Sequence, residues 1–177
     1  MKHLGGHNNV TNIDRSSFSY LKSIITLNSV LDIGCGPGGM KRVVEGYGKK
    51  WIGIDGDPSA IKGVENSILH DYTAGTCELE QEFDLAWSVE FLEHVEEEYV
   101  PNFMKNFAQC RYAFVTAAPP GTPGHHHVNC RSSEYWIDIF SSYNLYYHEK
   151  QTKVLREISD MKKGFFKKSG LFFKRNA

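Results

Sequence analysis

Short apolar runs, each bounded by turn residues, recur along the chain and alternate with stretches long enough for one helix. The runs that fit buried strands are "SVLDIG", "KWIGID", "SILHD", "FDLAWS", "YAFVTAA", "YNLYYH" and "GLFFKR". Strands that alternate with helical stretches are typical of βαβ units, in which parallel strands are joined through a helix. The pattern therefore predicts an α/β fold, with a mostly parallel sheet covered by helices on both faces.

Four of the intervening stretches have the spacing of amphipathic helices: "MKRVVEGYG", "PSAIKGVE", "EEEYVPNFMKNFAQC" and "SSEYWIDIFSSY". In the third, Phe103, Met104 and Phe107 fall on one helical face, as expected of a helix packed on a core. Sheets of this kind bind ligands at the carboxyl ends of their strands, where the strand order reverses. The residues that directly follow each strand are therefore the candidates for chemistry.

Composition limits the organisation and the compartment. With 177 residues, of which 41% are hydrophobic, the chain is expected to form a single domain over residues 1–177. Residues 1–16 are polar and rich in Gly and Asn, and we expect a mobile arm there. No apolar run approaches the roughly 18 residues of a membrane helix, and no signal peptide is recognisable. These features predict a cytoplasmic protein without membrane contact.

The charge is unevenly distributed although the net charge is only −1. Residues 150–177 hold nine Lys and Arg against two Asp and Glu, whereas the residues before them hold 11 basic and 19 acidic side chains. Such a basic end either contacts phosphates or forms a solvated face beside a terminal strand. Nucleic acid is therefore a possible partner, but the pattern does not favour it. The four cysteines lie far apart without a CxxC pair, which indicates free thiols.

A cluster of four glycines follows the first predicted strand, in "VLDIGCGPGG". Glycine tolerates positive φ and lets a ligand lie directly on the backbone. The spacing Gly34-x-Gly36-x-x-Gly39 also fits the fingerprint of nicotinamide dinucleotide enzymes, so a dehydrogenase is an alternative. Little chain remains for a second substrate-binding region, however. Asp32, just before the loop, suits a cationic ligand end better than a pyrophosphate.

Acidic residues also end the second and third predicted strands. Asp55 lies 23 residues after Asp32, where a carboxylate accepts hydrogen bonds from ribose hydroxyls. Asp71 would either accept from an adenine amino group or cap a turn, and Tyr72 would place a ring beside the base. Together these residues predict a nucleoside site.

The stretches "VLDIGCGPGG", "GIDGDP", "HDYT" and "FDLAWSVEFLEHV" together resemble the class I S-adenosylmethionine-dependent methyltransferases. The resemblance covers roughly residues 30–175. It implies a doubly wound, Rossmann-like sheet of seven strands, mostly parallel, whose last strand, here "GLFFKR", is antiparallel. It also implies S-adenosylmethionine as the cofactor.

The same resemblance assigns the residues of the cofactor site. Asp32 and Gly34 would hold the methionine end, Asp55 the ribose, and Asp71 with Tyr72 the adenine. Further residues implied in this site are Cys35, Gly36, Gly56 and Ser88.

The segment "SVEFLEHVEEEYV" begins where the fourth strand ends and is expected to continue as a helix. On a helix Glu90 and His94 would share a face, with Glu93 at its edge. Two carboxylates and an imidazole can bind a divalent metal such as Mg²⁺ or Mn²⁺. The Gly- and Pro-rich loop after the fifth strand carries His127, the candidate fourth ligand or general base. Alternatively, His94 is a helix-face histidine that only pairs with a neighbouring glutamate.

The motif partly resembles the RNA-end 2′-O-methyltransferases of small-RNA pathways, which supply Glu-x-x-Glu-His and a later histidine to a metal. Glu90, Glu93 and His94 match that motif, whereas His127 matches only by its order along the chain. An "EH" pair after the fourth strand is also common in methyltransferases of quinones and other small molecules. The stretch "GHHHVNCRSSEYWIDIF" is similar to a bacterial and phage group with an HVN…EYW pattern.

From these features we expect an S-adenosylmethionine-dependent methyltransferase that acts on an oxygen or nitrogen, with His127, Glu90 and His94 as the catalytic residues. No large amino-terminal lid precedes the sheet, so we expect a pocket that is shallow or completed by a partner, which would favour a polymer end, a saccharide or another exposed group. A small molecule or a saccharide is favoured as the acceptor. The alternatives are methylation of RNA 2′-hydroxyls and a non-catalytic cofactor-binding subunit that activates a partner.

Overall fold

The structure, a computed structural model, describes Leu4 and residues 10–176. Its centre is a seven-stranded sheet in the order β3-β2-β1-β4-β5-β7-β6. Only β7 is antiparallel to its neighbours, β5 and β6. The predicted α/β fold and the antiparallel last strand are confirmed. The strands are β1 (Ser29–Ile33), β2 (Lys50–Asp55), β3 (Ser67–Leu69), β4 (Phe83–Ser88), β5 (Cys110–Val115), β6 (Leu145–Tyr147) and β7 (Leu171–Arg175).

Helices cover both faces of the sheet, and each face has its own apolar core. The helices are α1 (Arg15–Ile24), α2 (Gly39–Gly46), α3 (Val100–Ala108), α4 (Ser133–Ser142), α5 (Glu149–Ile158) and α6 (Phe165–Ser169). Phe103 of α3 and Phe140 of α4 belong to one core. Phe18 of α1, Leu155 of α5 and Phe166 of α6 belong to the other. Alternating strand residues reach both cores, as expected for a sheet buried on both faces.

Two of the predicted helices are wrong. The stretch "PSAIKGVE" forms turns, because Gly63 adopts a φ of 77° and the Asp57 carboxylate holds the amide of Ser59 in a local turn. The segment after β4 does not continue as a helix either. Glu90 has a φ of 55°, and only short 3-10 turns, Leu92–His94 and Glu97–Tyr99, precede α3. A left-handed residue at the start cannot belong to an α-helix.

Part of the arm expected over residues 1–16 belongs to the folded domain. Residues 1–3 and 5–9 lie outside the described residues. Asp14 is fully buried, and its carboxylate accepts a hydrogen bond from the Ser17 amide at 2.9 Å, which caps α1. The Asp14 carboxylate also bonds to the Ser159 hydroxyl at the end of α5. Asp14 and Ser17 therefore belong to the folded domain. Among the described residues, no helix is long and apolar enough to cross a membrane.

Candidate active site

A cavity of about 390 Å³ lies at the carboxyl ends of β1, β2 and β4. This is the edge at which the order of the strands reverses, as in other doubly wound sheets. The cavity collects most of the residues predicted for the cofactor and for catalysis. These are Asp32, Gly34, Cys35, Gly36, Asp55, Gly56, Asp71, Tyr72, Glu90, His94 and His127.

The glycine loop forms the floor of the cavity. Gly34, Gly36 and Gly38 have φ angles of 73°, 52° and 72°, which side chains rarely tolerate. A Cβ atom on Gly34 would lie 2.6 Å from a ring carbon of Phe91, so glycine also allows the close approach of the segment after β4. The loop thus leaves backbone exposed to a ligand, as the sequence predicts.

Asp55 fixes the end of β2 against this loop. Its carboxylate accepts hydrogen bonds from the Gly36 amide at 2.8 Å and from the Asp57 amide at 2.9 Å. These two bonds hold the Asp55 carboxylate beside the glycine loop, where it lines the cavity. Gly56 follows it and lines the same part of the cavity.

Asp32 is almost completely buried at the base of the cavity. The indole N–H of Trp51 donates to its carboxylate at 3.0 Å. Burial raises the pKa of Asp32 to about 7, and the charge of Asp55 adds to this effect. A buried carboxylate of this kind is stabilised in its charged form by a cation placed beside it.

Asp71 and Tyr72 lie on the far side of Asp55. Asp71 accepts hydrogen bonds from the amide and hydroxyl of Thr73, at 2.9 and 2.8 Å, and caps the short 3-10 turn Tyr72–Ala74. The turn-capping alternative is therefore confirmed, although Asp71 also lines the cavity. Tyr72 is buried, and its hydroxyl donates to the Asn106 side chain at 3.0 Å. Its ring forms part of the cavity wall.

Two further residues predicted for the cofactor site differ in their placement. Ser88 is fully buried and donates from its hydroxyl to the Ile33 carbonyl at 2.8 Å, which ties β4 to β1. It does not line the cavity, so its assignment to cofactor binding is corrected; Val89 lines the cavity instead. Cys35 is buried in the glycine loop and lines the cavity floor.

Glu90 is held by the end of β5. The Thr116 hydroxyl accepts from the Glu90 amide at 2.8 Å and donates to its carboxylate at 2.9 Å. This pair of bonds stabilises the left-handed backbone of Glu90 and turns the chain toward the cavity. Burial raises the pKa of the Glu90 carboxyl, while the bond from Thr116 opposes that rise.

Glu93 is fully buried beside Glu90, behind the cavity wall. Neither of its carboxylate oxygens has a hydrogen-bond partner of normal geometry among the described residues. The carboxyl of Glu90 and the backbone of Ala118 are nevertheless close enough to influence it. Burial first, and the charge of Glu90 second, raise the pKa of Glu93 well above its usual value. A buried carboxyl without such partners is costly to the folded state.

His94 and His127 approach Glu93 from two different segments. Nδ1 of His94 pairs with the His125 carbonyl at 2.9 Å, and Nδ1 of His127 pairs with the Thr122 carbonyl at 3.0 Å. A carbonyl only accepts, so Nδ1 carries a proton in both rings, and in a neutral ring the lone pair is then on Nε2. Burial, followed by the charge of His127, lowers the pKa of His94 to about 4. His94 is therefore neutral at physiological pH.

Together Glu93, His94 and His127 form a three-residue cluster whose ligand atoms all lie within 4.8 Å of one another. Atoms bound at about 2.1 Å to one ion lie at most about 4.2 Å apart, so a small inward movement would complete a metal shell. Glu90 is adjacent but is not part of this group. The helical geometry expected for the motif is wrong, yet the tertiary fold assembles three of the four predicted ligands.

The loop that carries His127 is fastened to the segment after β4. The amides of Val128 and Asn129 both donate to the Glu93 carbonyl at 3.0 Å. His126 pairs with the Glu96 carboxylate at 3.0 Å and does not join the cluster. A Cβ atom on Gly124 would collide with the imidazole of His127, so a larger residue there would displace that ring.

Sequence reasoning missed several residues of the cavity, among them Phe91, Lys163 and Phe165. Phe91 lies inside the "SVEFLEHV" motif, but its place in the cavity is seen only from its contact with Gly34 in the structure. Lys163 and Phe165 belong to the basic carboxyl-terminal segment. Nothing in their local sequence separates them from their exposed neighbours.

Comparison with known proteins shows the family to which this chain belongs. A family profile described as a methyltransferase domain matches residues 10–113, which is more than half of the chain. One similar curated protein is a ribosomal protein L11 methyltransferase from Desulfotalea psychrophila, 32% identical over 92 residues that cover 45% of this chain. The chain spans only 30% of the length of that relative.

Solved structures share the fold at low sequence identity. A TehB-like methyltransferase from Corynebacterium glutamicum has a TM-score of 0.65 at 15% identity, covering 94% of this chain and 90% of its own. The plantazolicin methyltransferase BpumL, in complex with S-adenosylhomocysteine, has a TM-score of 0.62 at 13% identity, covering 92% and 82%. Both have the architecture of class I methyltransferases.

Proposed function

Because this chain belongs to the family of class I S-adenosylmethionine-dependent methyltransferases, we propose that it transfers a methyl group from S-adenosylmethionine to an oxygen or nitrogen of an acceptor. One observation carries the proposal. A single cavity joins the glycine loop and Asp55, which suit a nucleoside, to His94 and His127, which suit an acceptor.

The cofactor is proposed to lie along the ends of β1, β2 and β3. Asp55 accepts from the ribose hydroxyls, and Asp71 and Tyr72 contact the adenine. Asp32 faces the positively charged ammonium of the methionine end, which stabilises its ionised form. Gly34 and Gly36 leave the backbone open along this path. The methyl group would then point toward the segment that starts at Glu90.

Methyl transfer requires the protein mainly to orient the cofactor and the acceptor. The sulfonium carries its own leaving group, so the acceptor atom only has to be held in line with the methyl carbon. Removing a proton from a hydroxyl acceptor is the remaining task. We propose that His127 takes this proton or that the cluster binds a metal. Nε2 of His127 has the free lone pair that either role requires.

The cluster of Glu93, His94 and His127 fits a divalent metal. Two imidazoles with their Nδ1 atoms held by carbonyls, and a buried carboxyl without a normal partner, are typical of metal ligands and their supporting hydrogen bonds. When bound, the metal would lower the pKa of a coordinated hydroxyl. Glu90, which contacts Glu93, would orient that carboxylate.

The ligand atoms of this cluster, two imidazole nitrogens and one carboxylate, favour some metals over others. Mg²⁺ prefers oxygen ligands and keeps its waters, whereas imidazole suits zinc and iron, and Mn²⁺ accepts mixed sets. Of the two ions expected from the sequence, Mg²⁺ and Mn²⁺, the two histidines favour Mn²⁺. Zn²⁺ fits the same set of donors.

We favour a small molecule or a saccharide as the acceptor, which would enter the part of the cavity beside His94 and His127. Methylation of RNA 2′-hydroxyls is an alternative, supported by the basic residues after position 150. It predicts binding that weakens steeply with added salt. A non-catalytic subunit that activates a partner would instead bind the cofactor tightly without turnover.

The proposal is tested by incubating the purified protein with S-[methyl-³H]adenosylmethionine and fractions of a cell extract. We expect label in one class of acceptor. Incorporation should stop with a chelator and return with Mn²⁺ if the metal is required. Tight cofactor binding with no label in any fraction would favour the non-catalytic alternative.

A further inference from the structure

We propose that Lys163 binds an anionic group of the methyl acceptor, a carboxylate or a phosphate ester, and thereby selects acidic acceptors. This inference rests on the methyl transfer proposed above. Lys163 would be a specificity-determining residue of that reaction.

Lys163 differs in charge from the acidic residues that line the cavity. Among the lining residues that the structure describes, it is the single lysine or arginine. The acidic side chains that line the cavity are five carboxyl groups: Asp32, Asp55, Asp71, Glu90 and Glu96. The first three lie along the proposed cofactor path. Lys163 therefore supplies positive charge to a cavity that is otherwise acidic.

Lys163 lies on the acceptor side of the cavity. It lines the same cavity as Glu90, the residue that begins the segment over the reactive end. The ring of Phe166, three residues further on, stacks on that of Phe114 in β5 with ring centres 3.8 Å apart, so the turn lies beside β5. Within the described part of the chain, no carboxylate oxygen lies within 4.0 Å of the Lys163 Nζ atom. The ammonium instead lies 5.7 Å from the centre of the Phe165 ring, a cation–π contact. An ammonium without an ion pair is available to an anion.

A fixed turn presents Lys163. Met161 and Phe166 are buried on either side of it, and the Gly164 amide donates to the Met161 carbonyl at 2.9 Å. Gly164 has a φ of 64°, which ends the turn. Upstream, the buried Ser159 hydroxyl bonds to the Asp14 carboxylate. The backbone of this turn is thus anchored to the core on both sides, whereas the side chain of Lys163 reaches the cavity mouth.

The neighbouring lysine provides a matched control. Lys162 and Lys163 belong to the same turn and are both exposed, but only Lys163 lines the cavity. Replacing either residue with alanine removes one positive charge from the same surface. Only Lys163→Ala removes this charge from the cavity. Lys163→Arg keeps the charge and should retain much of the anion binding.

Direct binding is measured with inorganic phosphate and with acetate as probes, on ¹⁵N-labelled protein saturated with S-adenosylhomocysteine. Chelator is present so that no metal contributes to anion binding. We expect saturable shifts of the Lys163 and Phe165 amides, with affinity about tenfold or more weaker in Lys163→Ala, because one charge-assisted bond is lost. Lys162→Ala should bind like the wild type. Equal binding by the two alanine variants, or shifts confined to other regions, would overturn the proposal.

The second measurement is methyl transfer to acceptors of known charge. Small-molecule extract is separated on an anion-exchange resin before labelling, and we expect label in the retained fraction. Lys163→Ala should lower that label about 10- to 100-fold relative to Lys162→Ala. Release of the label from the resin by phosphatase identifies a phosphate ester, and continued retention identifies a carboxylate. Label only in the unretained fraction would overturn the proposal. If the wild type labels nothing, the proposed function fails, and the binding titration decides the role of Lys163.

Discussion

The indole nitrogen of Trp51 donates a hydrogen bond to the buried carboxylate of Asp32 at 3.0 Å, across neighbouring strands at the base of the cavity. Among the described residues, this is the one hydrogen bond that the protein donates to the Asp32 carboxylate. Burial outweighs it and raises the pKa of Asp32 to about 7. The group is consequently sensitive to pH and to a bound cation.

Asp32→Asn should stabilise the free protein at pH 8. Because the pKa of Asp32 rises from 3.8 to about 7 on folding, its contribution to stability is present below pH 3.8 and is lost as the pH rises to 7. Asparagine keeps an acceptor for Trp51 but carries no charge. We expect a gain of a few kcal/mol at pH 8, at about 1.4 kcal/mol per pK unit, and little gain at pH 4. Denaturant unfolding of both proteins at the two pH values measures this difference.

The same residue should make cofactor affinity depend on pH. The ammonium of S-adenosylhomocysteine favours ionised Asp32, so binding below pH 7 requires a proton to leave. Titration calorimetry should show affinity falling from pH 8 to pH 6, by at most about tenfold per unit. Asp32→Asn should bind more weakly at pH 8 and lose the pH dependence. A wild-type affinity that is constant over this range would remove Asp32 from the methionine site.

Asp55→Ala should weaken binding of S-adenosylhomocysteine without unfolding the protein. The ribose hydroxyls lose a charged acceptor worth roughly 1.5–3 kcal/mol per bond. Glu65→Ala is the control, because that carboxylate is exposed and pairs with Lys41 on the outer surface. Calorimetry on folded variants tests the assignment, and equal affinity for both variants would contradict it.

His127→Ala should reduce turnover strongly while leaving cofactor affinity nearly unchanged. The residue lies in the cluster with Glu93 and His94, away from the proposed ribose and adenine contacts. His126→Gln is the control, since His126 pairs with Glu96 outside the cluster. Steady-state transfer and calorimetry on the same preparations separate the two effects. Wild-type turnover in His127→Ala would mean that the histidine loop is structural.

Binding of Mn²⁺ or Zn²⁺ should depend on Glu93. Glu93→Gln keeps the shape of the side chain but removes the charge that a divalent ion needs, and we expect metal affinity to fall about 10- to 100-fold. Equilibrium dialysis with metal analysis measures this directly and needs no acceptor. Glu97→Gln is a control with a carboxylate outside the cluster, bound to Arg131 and Tyr135. Identical metal content in the two variants would exclude this site.

Local sequence determined the strands and the cofactor loop. The apolar runs matched all seven strands. The signal is strongest in the centre of the sheet, where β4 is buried at all six positions because helices cover both faces. The positive φ angles of Gly34, Gly36 and Gly38 follow from residue identity in the same way. The placement of Asp55 at the end of β2 also follows from short-range order.

The geometry of the acceptor side was decided only by the tertiary structure. Glu90 takes a left-handed backbone because Thr116, directly after β5, bonds to its amide and its carboxylate. Ser88 turns into the core to meet Ile33, and Lys163 reaches the cavity because buried residues anchor its turn at both ends. Each of these contacts joins segments distant in sequence. Neither helical spacing nor local composition encodes such a contact, because its energy exists only once the sheet has brought the partners together.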